Sequence, residues 1–132
     1  MTTPSGSEIF LVDSTGWVEY LADSPKAQAF APYLENTESL LLPTIVVYEV
    51  YKKLQREQGN SSAQHFLSTA FGFRERIVPV DIPLAELAAR ISIETKLAMA
   101  DAMIYAAAKL NGATLITSDA HFSGLDFVTL IA

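Results

Sequence analysis

Leu97-Ala98-Met99-Ala100-Asp101-Ala102-Met103-Ile104 and, one helix further on, Ala113-Thr114-Leu115-Ile116-Thr117-Ser118-Asp119-Ala120-His121-Phe122 are the stretches whose reading decides the fold. Met99, Ala102, Met103, Ala106, Ala107 and Leu110 recur at helical spacing and leave segment 99–110 little polar face, and Asn111-Gly112 is a helix stop. Residues 113–117 then form a short apolar run that breaks off at Ser118-Asp119, as a buried strand does at its exit. One acid therefore sits in the first turn of a helix, and another just beyond the next strand. With so little polar face around it, Asp101 is expected to be partly buried, and a buried carboxylate needs a partner.

The same alternation extends back to the start of the chain. Residues 9–12 read as a strand ending at Asp13-Ser14, which cap a brief helix over 15–21. Ser24 and Pro25 read as an N-cap and first helical residue of a helix running to about 34. A second strand over 40–42 is closed by Pro43, and Thr44 caps a helix whose Val46, Val47, Val50, Tyr51 and Leu54 keep helical spacing until Gly59. A helix over 61–73 turns Phe66, Leu67 and Ala70 inward, 77–80 is a strand, and Pro83 opens a helix carrying Leu84, Leu87, Ala88 and Ile91. Residues 127–130 form the last strand. Strands alternating with helices predict an α/β fold: a mostly parallel central sheet of about five strands, joined by right-handed crossovers and flanked by helices.

Composition narrows the function. The 132 residues fit one domain from residue 8 onward, preceded by a small, polar, loose tail over 1–7 that lacks the cationic start of a signal peptide. Half the residues are apolar and 18% charged, which calls for a protein partner or self-association to cover apolar surface. No stretch has the length to span a bilayer: 40–48 is broken by Pro43 and Thr44, and 97–110 contains Asp101 and Lys109. The lack of cysteine excludes disulfides and thiolate zinc sites and agrees with a cytoplasmic location. A net charge of −6 opposes nucleic acid as a partner, unless the acids gather where cations bind.

They are expected to gather. In an open α/β sheet, ligands bind at the edge formed by the carboxyl ends of the strands. Asp13 and Asp119 follow two strands, Asp101 opens the helix before Asp119, and Glu49 lies near the second turn of the helix after the second strand. Each has an ordinary explanation alone: turn or cap residues for Asp13 and Asp119, a helix-dipole acid for Asp101, an i to i+4 pair with Lys53 for Glu49. Those explanations do not account for the shared edge. Two carboxylates about 4 Å apart repel by roughly 4 kcal/mol at an effective dielectric near 20, and protonation or a hard dication relieves this. Oxygen ligands favour Mg²⁺ or Mn²⁺. Lys52, Lys53 and Arg56 share the helical face of Glu49 and can guide a phosphate backbone, or can simply be a solvated charged face.

These residues resemble the PIN-domain nucleases, and among them the VapC-type toxins of toxin–antitoxin systems. The resemblance rests on Phe10-Leu11-Val12-Asp13-Ser14, Tyr48-Glu49-Val50 and the two stretches quoted at the outset, and it covers almost the whole chain. It implies a PIN-like three-layer fold, Asp13, Glu49, Asp101 and Asp119 as catalytic, metal-binding acids, and Ser14 and Thr117 as hydrogen-bonding supports. It further implies Mg²⁺, with Mn²⁺ as substitute, hydrolysis of RNA phosphodiesters by activated water, an inhibiting antitoxin and a homodimer. Some relatives carry a further acid before the last Phe, where this chain has His121; it can contact phosphate, but a lone surface His is more often incidental. Trp17, Tyr20 and Tyr33 fit either an interface or the core.

Two rival readings are a PIN-like protein- or RNA-binding module without catalysis and a receiver-type phospho-acceptor domain. The four acids oppose the first. The second needs paired acids near the first strand and a Lys after a late strand, and the chain has neither.

Overall fold

The computed structural model describes residues 8–132, so the tail expected over 1–7 lies outside the described residues. Five strands form one parallel sheet: β1 (Phe10–Val12), β2 (Leu40–Pro43), β3 (Ile77–Val78), β4 (Thr114–Thr117) and β5 (Val128–Leu130). Two helices fill each of the first three crossovers. These are α1 (Ser14–Leu21) and α2 (Ala27–Leu34), then α3 (Thr44–Glu57) and α4 (Asn60–Phe71), then α5 (Ile82–Thr95) and α6 (Met99–Leu110).

The strand order is β3-β2-β1-β4-β5. The chain steps outward from β1 to β3, then crosses back to lay β4 on the other side of β1. Right-handed crossovers put the helices before and after that reversal on opposite faces, so a crevice opens where β1 and β4 part. Helices α1 to α4 pack among themselves, α5 packs on α6, and α3 also touches α6. The central strands are buried throughout in Phe10–Val12 and almost so in β4, as expected for a sheet covered on both faces. In α6, Ala102, Ala106, Ala107 and Ala108 are all buried, small side chains that let this helix approach its neighbours closely.

Several local readings need correction. Helix α2 starts at Ala27, because Ser24 caps a preceding turn: its hydroxyl and carbonyl accept from the Lys26 and Ala27 amides. Pro43 is the last paired residue of β2, opposite Val78, and it also takes the N-cap position of α3; Thr44 is already helical and caps nothing. An edge-proximal strand end tolerates a proline that donates no hydrogen bond. Strand β3 stops at Val78, and Phe127, with φ of 62°, lies in a left-handed bend before β5. Met99 and Leu110 are exposed, leaving the middle of α6 to carry the burial. Gly59, at φ 95°, ends α3 as expected, its amide returning to the Leu54 carbonyl. Trp17 belongs to the core, edge-on to Phe66 and Phe73, while Tyr20 and Tyr33 are partly buried against it.

Candidate active site and metal centre

The crevice between β1 and β4 holds the acids. Asp13 leaves β1 and is the N-cap of α1, so the strand end and helix start fix its backbone together. Its carboxylate, only 3% exposed, accepts from the Gly16 amide at 3.0 Å, from Thr15 Oγ1 at 2.9 Å to each oxygen, and from Thr117 Oγ1 at 2.6 Å. Burial raises its pKa while these donors pull the other way. Thr117 Oγ1 also accepts from the Asp119 amide at 2.9 Å, which links the exits of β1 and β4 through one hydroxyl.

Gly16 makes this seat possible. A Cβ there would lie 2.5 Å from Val12 Cγ1 and 2.6 Å from Phe30 Cε1, so any side chain would push α1 away from the sheet and its amide away from Asp13.

Asp101 stands in the first turn of α6, near backbone amides that the uncapped Ala98 leaves without a side-chain acceptor. Its carboxylate accepts no hydrogen bond among the described residues. Burial, then the charges of Asp119, Glu49 and Asp13, push its pKa up to about 6, with His121 opposing. The four acids therefore lie within electrostatic reach of one another around Asp101. The tightest group is smaller: one donor atom each of Asp101, Asp119 and His121 lies within 4.8 Å of the others.

Glu49 is turned inward by Ser14, whose hydroxyl donates to Oε1 at 2.8 Å. Among the described residues no ion pair joins Glu49 to Lys53, so the simple helical pair does not form. Ser14 and Glu49 line a groove of about 220 Å³ together with Lys52, Lys53 and Arg56, the same three bases expected on that helical face. Beyond it, a wider and largely apolar groove of about 600 Å³ runs past Val47, Tyr51 and Leu67 between α3 and α4.

Of the residues expected from the sequence and the resemblance, Asp13, Glu49 and Asp119 all act on Asp101, and Ser14 and Thr117 hydrogen-bond to Glu49 and Asp13, whereas Thr15 and Gly16 were not foreseen and His121 was set aside. Thr15 and Gly16 follow an N-cap Asp directly, a position whose side chains and amides commonly return to the cap. His121 Nδ1 lies 3.1 Å from Asp119 Oδ1, which also accepts the His121 amide at 2.9 Å. No signal short of the folded turn marks that contact.

The donor set suits a dication. A part-buried carboxylate that accepts no hydrogen bond among the described residues and feels the charges of three more acids is an arrangement that a bound cation relieves.

No curated protein matches the sequence. Solved structures of similar fold include a toxin–antitoxin complex from Klebsiella pneumoniae, at 21% identity and a TM-score of 0.69 over 91% of this chain and 95% of that one. FitAcB from Neisseria gonorrhoeae reaches 24% and 0.73 over 94% and 97% of the two chains. VapBC2 from Rickettsia felis, bound to a DNA fragment from their promoter, reaches 17% and 0.70 over 93% and 97%. At such identities the likeness is one of fold. The PIN domain profile matches residues 10–128, from the first residue of β1 to the first of β5, and so takes in four of the five strands and all four acids. This chain belongs to the PIN domain family.

Proposed function

We propose that the chain is a metal-dependent endoribonuclease, a VapC-type toxin that hydrolyses RNA phosphodiester bonds in the cytoplasm and is neutralised by a cognate antitoxin. The observation that carries this reading is Asp101, a carboxylate that receives no hydrogen bond among the described residues, set among Asp119, Glu49 and Asp13. Asp13, Glu49, Asp101 and Asp119 would hold the ion, Mg²⁺ or Mn²⁺. When bound, the ion supplies Lewis-acid stabilisation of phosphoryl charge and a lowered pKa for attacking water.

The protein's own groups do the rest. Thr15, Thr117 and Gly16 keep Asp13 in one orientation, and Ser14 does the same for Glu49. Both acids are thereby preorganised, and no side-chain ordering is needed when substrate arrives. Lys52, Lys53 and Arg56 line the groove beside Glu49 and would carry the phosphate backbone into it, a local answer to the net charge of −6. RNA rather than DNA is assigned from the family resemblance, because the acids act on either backbone. The apolar groove past Val47, Tyr51 and Leu67 offers an antitoxin a surface next to the basic one, in keeping with neighbours solved as toxin–antitoxin complexes. A homodimer would cover part of the exposed apolar surface, such as Met99, Leu110 and Phe127. Among the described residues no helix is long and apolar enough to cross a membrane.

The test compares cleavage of structured RNA by the purified protein and by Asp101→Asn, with and without Mg²⁺. Cleavage is expected only from the unsubstituted protein with the ion, and addition of the small protein encoded next to it should suppress that cleavage. Equal activity in both proteins would leave a PIN-like binding module in place of the enzyme.

A further inference from the structure

The position before the last aromatic of the site holds an imidazole, and the fold turns it toward the acids. His121 sits in the short turn that follows Asp119, with its backbone amide and its Nδ1 both directed at Asp119 Oδ1. Its side chain is 78% exposed, so neither packing nor burial accounts for that orientation. One nitrogen of this ring falls in the same 4.8 Å group as carboxylate oxygens of Asp101 and Asp119. Asp101 and Asp119 come from different elements, and His121 completes a third corner. The three donor atoms, one from α6 and two from the turn after β4, all lie within 4.8 Å of one another.

We infer that His121 is a ligand of the site, and that its nitrogen makes the centre favour first-row transition dications, Mn²⁺ among them, over Mg²⁺. This rests on the metal-dependent reading above and refines it: the ion is chosen by an imidazole nitrogen set beside carboxylate oxygens. The chemistry behind the choice is ligand hardness. Mg²⁺ binds oxygen at near-ideal octahedral geometry and gives up water reluctantly, so an imidazole adds little to its affinity. Transition dications accept imidazole readily, with affinity rising from Mn²⁺ along the first row. Mn²⁺ also accepts the carboxylates that supply the rest of the set. The 3.1 Å contact between Nδ1 and Asp119 Oδ1 places the ring near the acids before any ion arrives, which lowers the ordering cost of recruiting an exposed side chain.

The experiment measures metal binding without RNA. Mn²⁺ and Mg²⁺ are titrated calorimetrically into the full chain, His121→Ala and His121→Asp at about pH 8, where protons compete least for the nitrogen. Electron spin-echo spectra of the Mn²⁺-loaded proteins are recorded alongside. The expected result is a nitrogen coupling in the unsubstituted protein that both variants lack. The preference for Mn²⁺ over Mg²⁺ should fall about tenfold or more in His121→Ala. His121→Asp should retain Mg²⁺ binding, which also shows that the variant is folded.

An absent nitrogen coupling overturns the inference. So does an equal loss of both ions in His121→Ala, which would make His121 a positioning residue for Asp119 alone. Failure of the unsubstituted protein to bind either ion overturns the inference and the metal-dependent reading together. Nitrogen coupling without RNA cleavage would support the ligand role and remove only the ribonuclease reading.

Discussion

Asp13 and Asp101 belong to one acidic group and are held in opposite ways. Asp13 is almost fully buried and surrounded by donors from Thr15, Gly16 and Thr117, which offset part of the burial that still leaves its pKa raised. Asp101 is partly exposed, receives no donor among the described residues, and faces three other acids. The first is built into the fold and would keep its place without any ligand. The second is a cost to the metal-free fold, the signature of a group retained for what it binds. An acidic site can thus divide the work, one carboxylate tying β1 to β4 and another left short of partners for a cation.

The largest effect expected from this contrast belongs to Asp13. Asp13→Ala removes the cap of α1 and strands two hydroxyls and an amide in a buried setting, and should cost about 3 kcal/mol in urea unfolding. Asp13→Asn keeps an acceptor oxygen and should cost clearly less. Near-equal stability of Asp13→Ala and the parent would mean that the donor cage does not matter to the fold.

Next in size is Gly16→Ala, which leaves every acid in place but drives a methyl group into Val12 and Phe30. Overpacking of this kind should lower stability by about 2 kcal/mol and move the Gly16 amide off Asp13. An unchanged melting temperature would show that α1 can shift freely, and with it that Asp13 is not held as tightly as Asp101 is held loosely.

The smallest expected effect has the opposite sign. The Asp101 carboxyl, raised from 3.8 to about 6, binds its proton more tightly in the folded chain than in the unfolded one. Its contribution therefore favours the fold below about pH 4 and is lost as pH rises through about 6. Asp101→Asn should make the metal-free protein more stable at pH 8 by roughly 1 kcal/mol, the full shift being discounted for a part-exposed group, with little gain at pH 4. Melting curves at the two pH values decide it. A loss of stability at pH 8 would mean that Asp101 has an unrecognised partner and is no different in kind from Asp13.

The order of elements was legible along the chain because helices and strands announce themselves locally. The stop at Asn111-Gly112, the 3.6-residue spacing in 99–110 and the apolar run before Thr117 each report on a few neighbouring residues. The same locality explains the errors at Ser24, Pro25 and Thr44, where a capping residue served a neighbouring turn or none at all. The four acids were also legible, since any parallel α/β alternation sends strand exits to one edge.

The amino-acid sequence by itself determined the element types, the side of the sheet to which the acids go and the residues with charge to place there. Only the tertiary structure decided that β4 lies beside β1, because strand order depends on which crossover reverses and no local pattern encodes that. From this pairing come the Thr117 bridge to Asp13 and the approach of Asp13 and Asp119 to Asp101. Each is a relation between side chains brought within a few ångströms by packing, a distance that composition and periodicity do not contain.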